Sequence, residues 1–366
     1  MSEASETAAS PRLSRLSALL SERGEPRYRY RQIRDAIFRS SARSYSELSV
    51  LPAKLRGALG EALGERLLVV SPAEQSESTQ TTKVLFELAD GRRVESVEMR
   101  YQGGHVTICV STQVGCPVKC VFCATGTIGY TRNLSADEIV DQVLHFTKQG
   151  TRVTNVVFMG MGEPLLNPAT FDALSLLTAP DLLGFSPRRL SVSTVGILPA
   201  LQRLTEEHPN VNLAFSLHSP FAEQRSALIP YGKGYPLAEA LAAVDAHALR
   251  TRRKVFLVYL LMRGVNDTPA HAEALLRLVQ ARPNPALFHV NLTRYNPIEA
   301  PSAVVPGAGL PLVPTSRADV SAFKHLLEQR GLHVTVRQSF GDDIDAACGQ
   351  LHARYPAKRG LPLIRT

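Results

Sequence analysis

The stretch Cys116-Pro-Val-Lys-Cys120-Val-Phe-Cys123 holds three of the five cysteines of this chain, in the spacing C-x3-C-x2-C. It follows the β-rich run VTICV at 106–110, so the three thiols are predicted on a loop at the end of a strand. Three thiolates on one short loop can ligate three irons of a cubane iron–sulfur cluster and leave the fourth iron open. A zinc site completed by Cys109 or Cys348 stays open as an alternative, although structural zinc sites usually use two separated pairs.

Outward from this loop, short β-rich runs alternate with stretches of helical spacing. Such alternation with buried strands predicts an α/β fold with a parallel sheet and right-handed crossovers. Six units make a partial (β/α)6 barrel, in which strand ends carry the functional residues. The six runs lie at 106–110, 153–162, 188–196, 211–218, 254–262 and 289–296.

The segment before the barrel predicts two smaller units. Apolar spacing from Leu13 to about Leu68 is helical, while the first ten residues are small and polar and predict a frayed terminus. Asp90-Gly91 joins two β-rich runs as a hairpin extension. We therefore expect a helical accessory domain at 1–70, a β-hairpin linker at 71–102, the barrel at 103–340, and at 341–366 a C-terminal loop with Cys348 and a basic tail.

The charge balance favours a polyanionic partner. Lys and Arg outnumber Asp and Glu by 41 to 33, a net charge of +8, and seven arginines lie between positions 23 and 43, interleaved with Tyr28 and Tyr30. Guanidinium groups bind phosphates and aromatic rings stack on bases, so an RNA-binding face is predicted here, with an Arg-rich exposed helix as the alternative. The arginines assigned to this face are Arg27, Arg29, Arg31 and Arg34.

Composition also limits the cellular context. No run of 18 apolar residues exists, and the N-terminus lacks the pattern of a secretory signal, so we expect a cytoplasmic protein that does not contact a membrane. An odd number of cysteines in such a chain argues against a static disulfide framework.

The cysteine loop on a partial barrel resembles the radical S-adenosylmethionine (SAM) superfamily. Gly160-Met161-Gly162-Glu163-Pro164, after the second run, is similar to the GEP motif of that superfamily. The resemblance implies a [4Fe-4S] cluster held by Cys116, Cys120 and Cys123. It also implies SAM contacts from strand ends, although a strand-end serine is more often a cap or a turn former. Those contacts are Gly162, Glu163, Ser193, Ser216, Leu217, His218 and Asn296.

IDAACGQL around Cys348, Cys109 seven residues before the cluster loop, and RNL at 132–134 resemble the RlmN/Cfr family of RNA adenine methyltransferases. In that family one SAM methylates the cysteine that corresponds to Cys348. A radical from a second SAM then activates that methyl group for addition to adenine. The cysteine at Cys109 then releases the RNA by forming a disulfide with Cys348. The resemblance assigns the base to Glu95, with Glu98 as its neighbour. The alternatives are a solvent-facing strand residue at Glu95 and small buried hydrophobes at Cys109 and Cys348.

Several stretches, including GEPRYRYRQIRDAIF and LHSPFAEQRSALIP, are closer to the Cfr branch, whereas Glu163-Pro164-Leu165 is the commoner RlmN form. The Cfr branch methylates carbon 8 of an adenine in large-subunit rRNA and confers antibiotic resistance; the RlmN branch methylates carbon 2 and in part also acts on tRNA. We expect the Cfr-like activity in a monomer with an external electron donor such as flavodoxin or ferredoxin. A non-catalytic zinc-binding RNA module and a radical SAM enzyme of another substrate class are the alternatives.

Overall fold

The computed structural model describes residues 2–298, 303–307, 309–338 and 340–353, apart from the side chains of residues 232 and 233. The predicted α/β fold is confirmed, with one ten-stranded sheet that carries the barrel. The predicted basic tail lies in residues 354–366, outside the described part.

Four helices precede the sheet. The helical prediction for the N-terminal segment is confirmed, but the predicted fraying of the first ten residues is wrong. Ser2 caps the first helix by accepting the Ser5 amide, and Ser10 caps the second by accepting the Leu13 amide. The four helices are α1 (Glu3–Ala9), α2 (Pro11–Glu22), α3 (Arg27–Arg39) and α4 (Ala53–Leu63).

The antiparallel extension has three strands rather than the predicted two. These are β1 (Ser71–Ser78), β2 (Thr81–Glu87) and β3 (Arg93–Arg100), in the order β1-β2-β3. The turn at Asp90-Gly91 joins β2 to β3 as predicted, with Gly91 at φ 75°. The last strand pairs antiparallel with the first barrel strand, β4 (Val106–Cys109), so extension and barrel form one continuous sheet.

The six predicted parallel strands form and lie side by side in chain order. A seventh parallel strand follows them, and its pairing extends the sheet beyond the predicted six units. After β4 they are β7 (Asn155–Phe158), β8 (Leu190–Thr194), β9 (Asn212–Ser216), β10 (Val255–Leu261), β11 (Phe288–Arg294) and the added β12 (His333–Val336).

Between β4 and β7 the chain builds the cysteine loop. A small antiparallel hairpin of β5 (Gln113–Gly115) and β6 (Tyr130–Asn133) encloses that loop and the short helix α5 (Ala124–Thr127). Sequence reasoning did not predict this hairpin. It holds the two ends of the loop together.

Helices connect the parallel strands and bury their apolar faces against the sheet. They are α6 (Ala136–Lys148), α7 (Ala169–Thr178), α8 (Leu198–Glu207), α9 (Ala222–Leu228), α10 (Leu237–Thr251), α11 (Pro269–Gln280) and α12 (Arg317–Gln329). None of the described helices combines the length and the apolar composition that a membrane-spanning helix requires.

The N-terminal helices are attached to α6 by a buried polar network. The Arg12 guanidinium donates to both carboxylate oxygens of Asp141 at 2.9 Å and to the Leu67 carbonyl at 2.8 Å. Asp137 accepts the Arg12 amide and the Ser10 hydroxyl. Since Arg12 is only 6% exposed, its charge depends on these carboxylates for compensation.

We expect Arg12→Met to lower the free energy of unfolding by about 3–5 kcal/mol, because it leaves the carboxylates of α6 buried without their cation. Urea denaturation followed by circular dichroism measures the loss. Arg23→Met, at an exposed helix end, is the control and should cost almost nothing. Equal stability of the two variants would show that the network does not hold the N-terminal helices in place.

Candidate active site

A cavity lies at the carboxyl ends of the parallel strands, where a barrel of this type carries its functional groups. The structure brings most of the predicted site residues to its wall. The predicted residues that line it are Cys109, Cys116, Cys120, Cys123, Gly162, Glu163, Ser193, Ser216, His218 and Cys348.

Two contacts with the Gly129 carbonyl fix the start of the cysteine loop. Gly115 has φ 75°, and a Cβ placed on it would lie 1.7 Å from the Gly129 carbonyl oxygen, so only glycine fits. The Cys116 amide donates to that same carbonyl at 2.9 Å. These contacts across the β5–β6 hairpin fix where Cys116 begins the loop.

The three loop thiols are neighbours in an apolar setting. Burial raises the pKa of Cys116 to about 12, and it raises the pKa of Cys120 well above its usual range. The Cys123 and Cys116 sulfurs raise the pKa of Cys120 further, as expected of like charges at short range. Thiols with such raised pKa values lose their protons only when a strong electrophile, such as a metal ion, binds the sulfur.

Backbone N–H groups point at two of these sulfurs. The amides of Val118 and Lys119 donate to the Cys116 sulfur, and the amides of Thr125 and Gly126 donate to Cys123. N–H donors to sulfur tune iron–sulfur clusters, so the loop suits such a group.

Glu163 follows β7, and its carboxylate points into the protein. One oxygen accepts the Val195 amide at 3.0 Å, and the other accepts the Leu165 amide at 3.1 Å. Burial raises the pKa of Glu163 to about 7. The side chain thus joins the loops after β7 and β8. Gly162 precedes it at φ 101°, packed on the Gln113 side chain.

His218 lies at the end of the predicted SLH stretch with φ 56°. Its Nδ1 accepts the Leu260 amide at 3.0 Å, and burial lowers its pKa to about 3. The ring is therefore neutral, with its proton on Nε2, and it packs edge-on against Phe122 of the cysteine loop. Leu217 is fully buried and does not line the cavity.

Cys109 and Cys348 line the same cavity, and neither forms a disulfide. Burial raises the pKa of Cys109 to about 12, and the Cys348 sulfur on the same wall raises it further. Asn296 is not on the cavity wall; its amide donates to the Cys348 carbonyl at 3.1 Å.

Glu95 is buried rather than facing solvent, so that alternative is wrong. Its carboxylate accepts the His352 amide at 2.7 Å and the Ala353 amide at 2.9 Å, and it pairs with Lys83 at 3.1 Å. It lines a second cavity, together with Asp345. The structure therefore does not bring Glu95 to the wall that holds the two cysteines. Glu98 is paired with Arg100.

Two arginines at the site were missed by sequence reasoning. Arg225 is 1% exposed and donates to the carbonyls of Val195 and Ser216, on the cavity wall. Arg337 follows β12 and lines the cavity itself. Arg337 lies in HVTVRQS at 333–339, a β-rich run, and this place near a strand end was a usable signal, since other site residues share it.

Two of the predicted RNA-binding arginines of helix α3 are exposed, and the other two make contacts within the protein. Arg27 and Arg31 are exposed, whereas Arg34 pairs with Glu6 and Asp35. Arg29 donates to Gln32 and to the Val50 carbonyl. The predicted stacking role of Tyr30 is wrong, because this ring is 3% exposed in the core.

Comparison with known proteins agrees with this geometry. Residues 110–278 match the model of the radical SAM superfamily. The chain is 44% identical over 343 residues to proteins named ribosomal RNA large subunit methyltransferase Cfr from Bacillus velezensis and Staphylococcus aureus, covering 93% of this chain and 96% of each relative. The chain belongs to the RlmN/Cfr family of radical SAM methyltransferases.

A solved structure of the same superfamily supports this membership. A radical SAM methyltransferase from Sphaerobacter thermophilus superposes with a TM-score of 0.85 at 40% identity, covering 93% of this chain and 98% of that one. Membership makes the chain a methyltransferase of a superfamily that uses a [4Fe-4S] cluster and SAM. The alternative of a non-catalytic zinc-binding module is thereby excluded.

We expect Gly115→Ala to prevent stable cluster assembly, because its Cβ would collide with the Gly129 carbonyl and displace the start of the cysteine loop. Iron and sulfide per chain after anaerobic reconstitution measure the loss. Gly57→Ala, where a Cβ meets nothing within 4 Å, is the control and should load like the parent. Full iron content in Gly115→Ala would mean that this contact does not shape the loop.

Proposed function

We propose that this protein methylates carbon 8 of an adenine in large-subunit ribosomal RNA, through a methyl group carried on Cys348. The observation that carries the proposal is one cavity wall with Cys109 and Cys348 beside the three loop thiols. Relatives named for methylation of large-subunit rRNA, 44% identical over 93% of the chain, support the substrate class.

Cys116, Cys120 and Cys123 would hold the cluster, and SAM would bind in the same cavity. The contacts of SAM would come from the backbone at Gly162, from Ser193 and Ser216, and from the neutral ring of His218. When bound, these groups supply the methyl group and the one-electron chemistry that activates it. Because both Glu163 oxygens already accept amide hydrogens, its part would be to hold the two loops in place, with the backbone before it facing the ligand.

The two remaining cysteines would supply polar chemistry. Cys348 carries the carbon that becomes bonded to adenine, so the RNA is attached to the protein through Cys348 Sγ. Release needs a second sulfur, and Cys109 lies on the same wall. The Cys109 thiolate attacks Cys348 Sγ, an S–S bond forms, and the S–C bond breaks. The electron pair of the broken S–C bond goes to the methylene carbon, which gains a proton and becomes a methyl group.

Glu95 is our candidate for the base that removes the adenine ring proton. In the present conformation its carboxylate holds the amides of His352 and Ala353, so it would reach the substrate only after this C-terminal segment shifts. Its buried carboxylate and its ion pair with Lys83 support a role beyond that of an ordinary strand residue.

Carbon 2 is the alternative position on the adenine, with tRNA as a further possible substrate. The choice of carbon 8 rests on the Cfr-like stretches of the sequence and on the Cfr-named relatives. Such a product would confer antibiotic resistance. We propose a cytoplasmic monomer that takes electrons from a flavodoxin or ferredoxin.

Replacement of Cys109 tests the proposed roles of the two cysteines. We expect Cys109→Ala to cleave SAM but to accumulate a covalent protein–RNA adduct, because no second sulfur can release the RNA. Denaturing gels with labelled rRNA, followed by nuclease digestion and mass spectrometry, locate the adduct on Cys348. Cys120→Ala is the matched control and should neither hold the cluster nor form the adduct. Normal turnover by Cys109→Ala would contradict its role.

Exposed arginines of α3 test the proposed RNA contact. We expect Arg27→Ala and Arg31→Ala each to weaken rRNA binding and to reduce the slope of affinity against salt by about one, as loss of a phosphate contact does. Arg277→Ala, an exposed arginine of α11, is the control. Filter binding at several salt concentrations gives the slopes. Unchanged slopes in both α3 variants would place the RNA contact elsewhere.

A further inference from the structure

Arg337 reaches the cavity from the end of the seventh parallel strand. Its amide donates to the Leu292 carbonyl at 2.8 Å, which extends the β11–β12 pairing by one residue. Its guanidinium contacts the Met159 sulfur at 3.4 Å, at the end of β7. The side chain thus extends from the last parallel strand to the residue that follows the second, β7, along the cavity wall.

The charge of Arg337 has no carboxylate partner in the described part of the chain. Among the described residues on the cavity wall it is the one lysine or arginine. The other titratable wall residues, besides the cysteines, are Glu163, whose carboxylate is engaged with amides, and His218, whose ring is neutral. Partial burial of a cation without a counter-ion raises the free energy of the folded protein, and an anion formed in this cavity would lower it.

The proposed release step requires Cys109, on the same wall, to become an anion. The strand β3 presents the apolar side chains of Val97 and Met99 to the cavity beside Cys109, and the Met159 amide, directly after β7, donates to the Cys109 sulfur. The charged or titratable groups facing it are the Cys348 sulfur and Arg337. Burial and Cys348 raise the Cys109 pKa, while Arg337 lowers it. A buried thiol of this kind is a poor nucleophile without a nearby cation.

We propose that Arg337 is the electrostatic partner of Cys109, stabilising its thiolate for the attack on Cys348. This role rests on the proposed function, in which Cys109 forms the S–S bond and the electron pair of the broken S–C bond passes to the methylene carbon. Arg337 takes part in no bond change. It makes the attacking sulfur available in a cavity that otherwise keeps it protonated.

The test measures the reactivity of Cys109 without requiring turnover. In the full-length, cluster-loaded protein with Cys348→Ala, anaerobic alkylation by iodoacetamide from pH 7 to 9.5 is quantified at Cys109 by tandem mass spectrometry. We expect Arg337→Met to slow alkylation about tenfold at a given pH, the equivalent of one pKa unit. Arg337→Lys should recover most of the rate, since it keeps the charge. Arg330→Met, an exposed arginine after α12, is the control.

Iron content and the circular dichroism spectrum verify that each variant is folded, and Arg337→Gln replaces the Met variant if that one does not hold iron. Equal rates in the parent and the neutral variant would overturn the proposal. A Lys variant as slow as the neutral one would also overturn it, because charge would not be the cause. The proposed function is tested separately, by whether Cys109→Ala forms the RNA adduct. If Arg337→Met slows alkylation but Cys109→Ala forms no adduct, the coupling of Arg337 to Cys109 is upheld and the methylation mechanism is rejected.

Discussion

Two hydrogen bonds between distant parts of the chain hold the site together. The Ala124 amide donates to the Gly349 carbonyl at 2.7 Å, and the Thr125 hydroxyl donates to the Leu351 carbonyl at 2.7 Å. They join the first two residues after Cys123 to Gly349 and Leu351, which follow Cys348. The cysteine loop and the C-terminal loop are therefore joined directly and line the same cavity.

The same C-terminal loop is held from its other side by the antiparallel extension. Glu95 accepts the amides of His352 and Ala353, and Lys83 donates to the Asp345 carbonyl at 3.2 Å. The extension is thus a support for the Cys348 loop as well as the start of the sheet. If Glu95 also removes a proton, release of the C-terminal segment and exposure of the base are one event. That coupling would keep the base away from the cavity until a substrate displaces the segment.

The sequence predicted the parallel strands and the cysteine loop because both depend on local patterns. Apolar runs of strand length and a spacing of three cysteines need no knowledge of distant contacts. Strand β1 was missed because its sequence SPAEQSES is polar, and it forms through backbone pairing with β2. The burial of Tyr30 could have been predicted from the sequence, since Tyr30, Ile33 and Ile37 share one helical face. The contacts of Glu95 with the His352 and Ala353 amides had no such signal, because those residues lie more than 250 positions away.

The most direct test of the account is anaerobic turnover on large-subunit rRNA with SAM that carries a trideuterated methyl group, followed by mass spectrometry of the nucleosides. Passage of the methyl group through Cys348 with loss of one hydrogen predicts a methyladenosine with two deuteriums, which elutes as the carbon-8 isomer. Three deuteriums would mean direct polar transfer from SAM. That result would contradict the roles of Cys348 and Cys109 together.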